Sequence, residues 1–117
     1  MKVAAIQMVS AIEREANLAR AHRLLAQAAE AGAELAVLPE YFCVMGQRDT
    51  DKLSLRESAD GGMVQGFLAE SAREFGLWIV GGTLPLESEE EDHVFNSSIA
   101  FSPDGECVAR YDKIHLF

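Results

Sequence analysis

Gly32-Ala33-Glu34-Leu35-Ala36-Val37-Leu38-Pro39-Glu40 is the stretch that decides the fold. Glycine is a helix stop, the four residues from Leu35 form a short buried strand, and Pro39 ends it because proline cannot donate to a ladder. Glu40 therefore stands just past the strand's C-terminal end. Upstream, Leu18, Ala21, Leu25 and Ala28 recur at helical intervals. Ser10-Ala11-Ile12-Glu13 has capping-box spacing at the start of that helix. Before it, Val3 to Met8 is nearly all apolar and reads as a central strand covered on both faces.

Downstream, residues 41 to 62 show no sustained period and read as a loop with one short helical turn at most. Val64, Phe67, Leu68, Ala72 and Phe75 predict a second helix closed by Gly76. Leu77-Trp78-Ile79-Val80 then predicts a buried strand running into Gly81-Gly82-Thr83, a strand end where backbones approach closely. Val94 to Phe101 and Cys107 to Tyr111 predict a hairpin turned by Ser102-Pro103-Asp104-Gly105-Glu106. The order is βαβαβ with an appended hairpin, an α/β chain with no internal repeat and no dividing linker.

The 117 residues suit one core, and 49% apolar with 25% charged residues is an ordinary globular balance. Ten basic against nineteen acidic residues argue against nucleic acid, which demands clustered Lys and Arg. Glu87, Glu89, Glu90, Glu91 and Asp92 read as a solvated loop, since consecutive like charges repel. The apolar run after Met1 is too short for a signal peptide's core, and no stretch approaches the roughly 18 apolar residues of a membrane helix. A cytoplasmic chain is the expectation.

Two charged residues stand in apolar surroundings: Glu40, and Lys113 in Arg110-Tyr111-Asp112-Lys113-Ile114-His115-Leu116-Phe117. Burying either alone is costly, so they make sense facing each other or a substrate. Each also has a plain explanation, a loop carboxylate and a surface lysine beside Asp112. Open α/β sheets place ligands at the C-terminal ends of strands, where Glu40 lies. His115 would share a strand face with Lys113 and could orient it, whereas His22 and His93 read as solvent-facing; the three have no metal-ligand spacing. Gly81-Gly82 and Gly61-Gly62 lack the context of a phosphate loop. Cys43, three residues from Glu40, invites a nucleophile-and-base reading, but no nearby cation favours its thiolate, so Cys43 and Cys107 read as structural thiols.

Taken together, Val3 to Met8, Gly32 to Glu40, Gly81-Gly82-Thr83, Asn96-Ser97-Ser98 and Arg110 to Phe117 resemble the nitrilase superfamily of carbon-nitrogen hydrolases, closest to small amidases acting on deaminated glutathione and on ω-amides. The resemblance implies an αββα sandwich and a Glu-Lys-Cys triad hydrolysing amides or nitriles through a thioester. Glu40 matches the family's general base and Lys113 its oxyanion stabiliser. The nucleophilic cysteine and a second supporting glutamate lie beyond the lysine block, and neither Cys43 nor Cys107 matches the nucleophile. Residues 1–117 are thus expected to be the N-terminal portion of a single hydrolase domain, silent alone, without metal or cofactor, taking a small-molecule amide and forming a homo-oligomer when whole. The alternative is an inactive truncated relative acting as a binding module.

Overall fold

The computed structural model describes residues 1–43, 55–90 and 93–113. Strand β1 (Val3–Ala5), helix α1 (Arg14–Glu30), β2 (Leu35–Val37), α2 (Met63–Phe75), β3 (Trp78–Val80), β4 (Leu84–Glu87), β5 (Val94–Phe101) and β6 (Cys107–Asp112) follow in chain order. The first three strands run parallel, with Val3 opposite Leu35 and Leu35 opposite Trp78. Parallel neighbours need crossovers, and α1 and α2 supply them. β3, β4 and β6 all pair antiparallel with β5, completing one six-stranded mixed sheet.

Both helices lie on the same face. Leu18, Ala21 and Leu25 of α1 and Val64, Leu68 and Ala72 of α2 join Ala36, Ile79, Ile99 and Phe101 of the sheet in one core. Strand alternation sends the intervening residues to the other face, which the described residues leave uncovered: Val3 is 55% exposed and Trp78 42%. One helix layer on one sheet is half of the αββα arrangement expected. β1 departs from its reading as a central strand, because it pairs only with β2 among the described residues and exposes Val3.

The body of α1 follows the expected face, but its start does not. The helix begins at Arg14, and Glu13 at the cap makes no side-chain capping bond. The Ser10 hydroxyl instead donates to the Phe42 carbonyl at 2.9 Å, tying the helix entry to the chain after Glu40. Asn17, buried, accepts from Ala11 N–H at 2.6 Å and donates to the Cys43 carbonyl at 2.9 Å. Ser10 of the expected capping box, and Asn17 within the helix, are thus spent on long-range anchors. At the other end Gly32 N–H reaches Ala29 O and Ala33 N–H reaches Ala28 O, both at 3.0 Å, the paired bonds of a Schellman stop.

β4 is absent from the sequence reading. Gly81 N–H donates to Ile99 O at 2.7 Å, and after Gly81-Gly82-Thr83 the chain resumes its pairing along β5, with Leu84 opposite Ser97 and Leu86 opposite Phe95. Glu87 belongs to this strand, while Glu89 and Glu90 are exposed as expected; Glu91 and Asp92 lie outside the described residues. Glu57, 6% exposed, bridges β4 on one side and accepts from Val64 N–H at 2.6 Å and Gln65 N–H at 3.1 Å on the other. Its carboxylate satisfies orphan donors at the N-terminus of α2, where negative charge is favoured by the helix dipole.

Candidate active site

β2 ends at Val37, and the backbone from Leu38 to Tyr41 is then held from below. Leu38 N–H donates to Val80 O at 2.9 Å, and Tyr41 N–H donates to Thr83, reaching its carbonyl at 3.1 Å and its hydroxyl at 3.0 Å. Tyr41 adopts φ +49°, a left-handed conformation costing about 1–2 kcal/mol for a side chain of this kind. Strain of this sort persists only where surroundings over-determine it. Here Ser10 and Asn17 grip the next two carbonyls, those of Phe42 and Cys43. Glu40 is the last of the three residues between the end of β2 and the strained Tyr41.

Lys113 arrives from the far side of the sheet. Its N–H donates to Asn96 O at 2.8 Å, extending the β5–β6 ladder one residue past Asp112. Its ammonium lies 3.1 Å from the Glu40 carboxylate, with the lysine side chain 21% exposed and the glutamate 65%. The two residues singled out in the sequence, 73 positions apart by number, are thus brought into one ion pair. With its carboxylate so exposed, the pair contributes only about 0–1 kcal/mol to stability. A depression of about 340 Å³ is lined by Lys113 together with Phe95, Asn96, Glu89, Glu90 and His93.

The pair can take a proton on the carboxylate and steady negative charge beside the ammonium. The Tyr41 hydroxyl is pushed up to about 12, by burial first and then by the charge of Glu40. Behind the pair, Asp112 lies on the opposite face from Lys113. Burial works against its ionised form, but hydrogen bonds from Arg110 and Ser97 and the charge of Arg110 outweigh it, holding the carboxyl below the usual range.

The remaining candidates separate. His22 packs against Phe75 at 5.1 Å between ring centres and meets Glu74 at 3.1 Å, whereas His93 pairs with Glu90 at 2.9 Å and lines the same depression as Lys113. His115 lies outside the described residues. Among the described residues no group of three or more His, Cys, Asp or Glu is placed to hold a metal ion, and no helix is long and apolar enough to cross a membrane. Sequence reasoning missed the supporting groups: Ser10, Asn17, Thr83 and the Ser97–Asp112 contact. Gly81-Gly82-Thr83, Asn96-Ser97-Ser98 and the block from Arg110 contain Thr83, Ser97 and Asp112, but their spacing does not reveal these contacts.

Cys43 is 1% exposed, and burial, assisted by the negative charge of Glu57, pushes its thiol up to about 12. At pH 8 such a thiol is held protonated, and the thiolate is the reactive form. Iodoacetamide at that pH is therefore expected to alkylate exposed Cys107 and spare Cys43 in the folded chain, with urea erasing the difference; mass spectrometry of the peptides reads both. Comparable labelling of Cys43 in the native state would mean that its burial is incomplete.

Comparison with known proteins bears on the family and the fold. The chain is 36% identical over 115 residues to a deaminated glutathione amidase of Synechocystis, an alignment covering 97% of this chain and 42% of that protein. It is 36% identical over 117 residues to omega-amidase NIT2 of Danio rerio, covering 99% and 40%. The chain thus spans less than half the length of the curated relatives it matches. Its fold superposes on Saccharomyces cerevisiae Nit3, a member of branch 10 of the nitrilase superfamily, with a TM-score of 0.86 and 29% identity over 98% of this chain and 44% of that one. The C. elegans NitFhit protein gives the same TM-score at 28% identity, covering 98% and 28%. The model of the carbon-nitrogen hydrolase family matches residues 2–117, so the chain belongs to that family.

Proposed function

We propose that residues 1–117 form the N-terminal portion of a single amidase domain that cleaves the carbon-nitrogen bond of a small carboxylic amide, in a cytoplasmic homo-oligomer. The observation that carries this reading is the 3.1 Å pairing of Glu40 with Lys113 past the C-terminal ends of the strands. Glu40 acts as general base and Lys113 as oxyanion stabiliser. The nucleophile is a cysteine supplied by chain beyond residue 117, since Cys43 is buried with its thiol held protonated and Cys107 lies on β6 away from the pair.

Glu40 takes the proton of that cysteine's thiol as its sulfur attacks the amide carbon, and the carbonyl electrons move to an oxygen facing the Lys113 ammonium. Collapse of the tetrahedral adduct breaks the C–N bond, the proton passes from Glu40 to nitrogen, and ammonia leaves a thioester. Water, deprotonated by Glu40, then attacks the thioester carbon; the acid departs and the proton returns to sulfur. The names of the relatives point to ω-amides of dicarboxylic acids as the first substrates to offer.

The test is ammonia release from such amides by the polypeptide of the complete reading frame containing residues 1–117. Release that disappears when a cysteine downstream of Phe117 is changed to serine is expected. A folded product that releases no ammonia from any aliphatic amide or nitrile would overturn the reading in favour of a non-catalytic binding module.

A further inference from the structure

We propose that Asp112, locked by Ser97 and Arg110, is a positioning residue that fixes which face of the sheet Lys113 occupies. Three observations carry this. The hairpin has a register irregularity near its turn: Ala100 lies opposite Ala109 but Phe101 opposite Cys107, leaving Val108 as an extra residue. Such a bulge offers β6 an alternative pairing one residue away. Because side chains alternate, a one-residue slip would carry Lys113 out of its pair with Glu40 to the face that bears Arg110 and Asp112, whose side chains are 31% and 36% exposed, and bring a neighbour to the face of Glu40.

Beyond the backbone ladder and the turn, closed by Ser102 N–H on Glu106 O at 2.9 Å, little on β6 resists that slip. Residues Cys107 to Tyr111 are exposed, with Val108 at 52% and Tyr111 at 57%, so burial of apolar area cannot select the register. The specific contact is at the strand's far end. Ser97, fully buried on β5, donates its hydroxyl to Asp112 Oδ1, its partner across the ladder. Arg110, two residues back and on the same face, forks onto the same carboxylate at 2.8 and 3.3 Å, and its guanidinium lies 5.6 Å from the centre of the Phe95 ring.

A slipped strand would leave the Ser97 hydroxyl buried without its acceptor, the costly outcome for a polar group. The lock therefore selects the register in which Lys113 N–H meets Asn96 O and the ammonium meets Glu40. Asp112 touches neither Glu40 nor the space beside it in this arrangement; it acts through the backbone of its neighbour.

The inference rests on the proposed function for its catalytic consequence, but not for its direct test. In the 117-residue chain, the rate at which acetic anhydride acetylates Lys113 is compared with that of Lys2, an exposed lysine on the opposite edge of the sheet. Asp112→Asn and Ser97→Ala are expected to raise Lys113 labelling several-fold and leave Lys2 unchanged. Ser97→Ala stands as the second variant should Asp112→Asn fail to fold. Unchanged Lys113 labelling, or an equal rise at both lysines, overturns the proposal. In the complete hydrolase the same variants are expected to lower kcat about tenfold with KM little altered, as for a misplaced catalytic group. A wild-type enzyme without activity would sink the hydrolase reading and leave the labelling result standing.

Discussion

Replacing Gly82 by alanine is expected to destabilise the chain by about 3 kcal/mol, lowering its melting temperature by roughly 10 °C. Two costs combine. Gly82 has φ +58°, where a side chain is strained by about 1–2 kcal/mol. A Cβ there would also lie 2.0 Å from the Pro39 carbonyl oxygen and 3.0 Å from that of Leu38. Both obstacles are backbone, so neither can rotate away, and the segment that must move is the one bearing Glu40. Gly76→Ala is the matched control, since Gly76 has φ +63° but nothing within 4 Å of an added Cβ. The control is expected to lose about 1–2 kcal/mol, the strain alone. Equal losses at the two positions, read from urea unfolding, would show that the Pro39 backbone yields freely and that the close approach at Gly82 costs nothing beyond the strain.

The close approach at Gly82 was legible as a strand end, but not its partner Pro39. Helices α1 and α2, strand β2 and the β5–β6 hairpin were legible because each rests on a local rule: apolar residues at helical spacing, a glycine stop, a proline terminator, a Pro-Asp-Gly turn. Glu40 and Lys113 stood out because charge in an apolar frame is a local anomaly. β4 was illegible for an equally physical reason. Its Pro85 has no N–H to give, so nothing in Leu84-Pro85-Leu86 suggests a strand, yet the Pro85 carbonyl accepts from Glu57 N–H at 3.1 Å.

Ser10 misled for the complementary reason. A hydroxyl three residues before a glutamate fits a capping box, but the same hydroxyl satisfies Phe42 O, 32 residues away, and spacing cannot reveal a partner at that range. Glu57 likewise caps α2 from seven residues upstream, outside the positions that local capping rules cover. β1 carries a two-sided apolar pattern while only one of its faces is covered by the described residues, so its pattern suits a sheet with a second layer.

Glu40→Gln in the complete hydrolase is expected to lower kcat by about a thousandfold or more while changing stability by less than about 0.5 kcal/mol. Both halves of that statement follow from geometry. The side chain is 65% exposed, so its ion pair with Lys113 adds little to folding, and glutamine keeps its shape. The chemistry proposed for Glu40, by contrast, uses its proton affinity at each step: to ionise the thiol, to hand a proton to the departing nitrogen, and to activate water. Glutamine can do none of these. Lys113→Met should lower kcat about a hundredfold to a thousandfold, the usual loss of one oxyanion donor. If Lys113→Met raised KM and spared kcat, the ammonium would be holding the ground-state substrate and not the developing charge. Retained turnover in Glu40→Gln would be more damaging, because a base that can be deleted without loss is not the base, and the pairing at 3.1 Å would then reduce to a surface contact between two neighbouring loops.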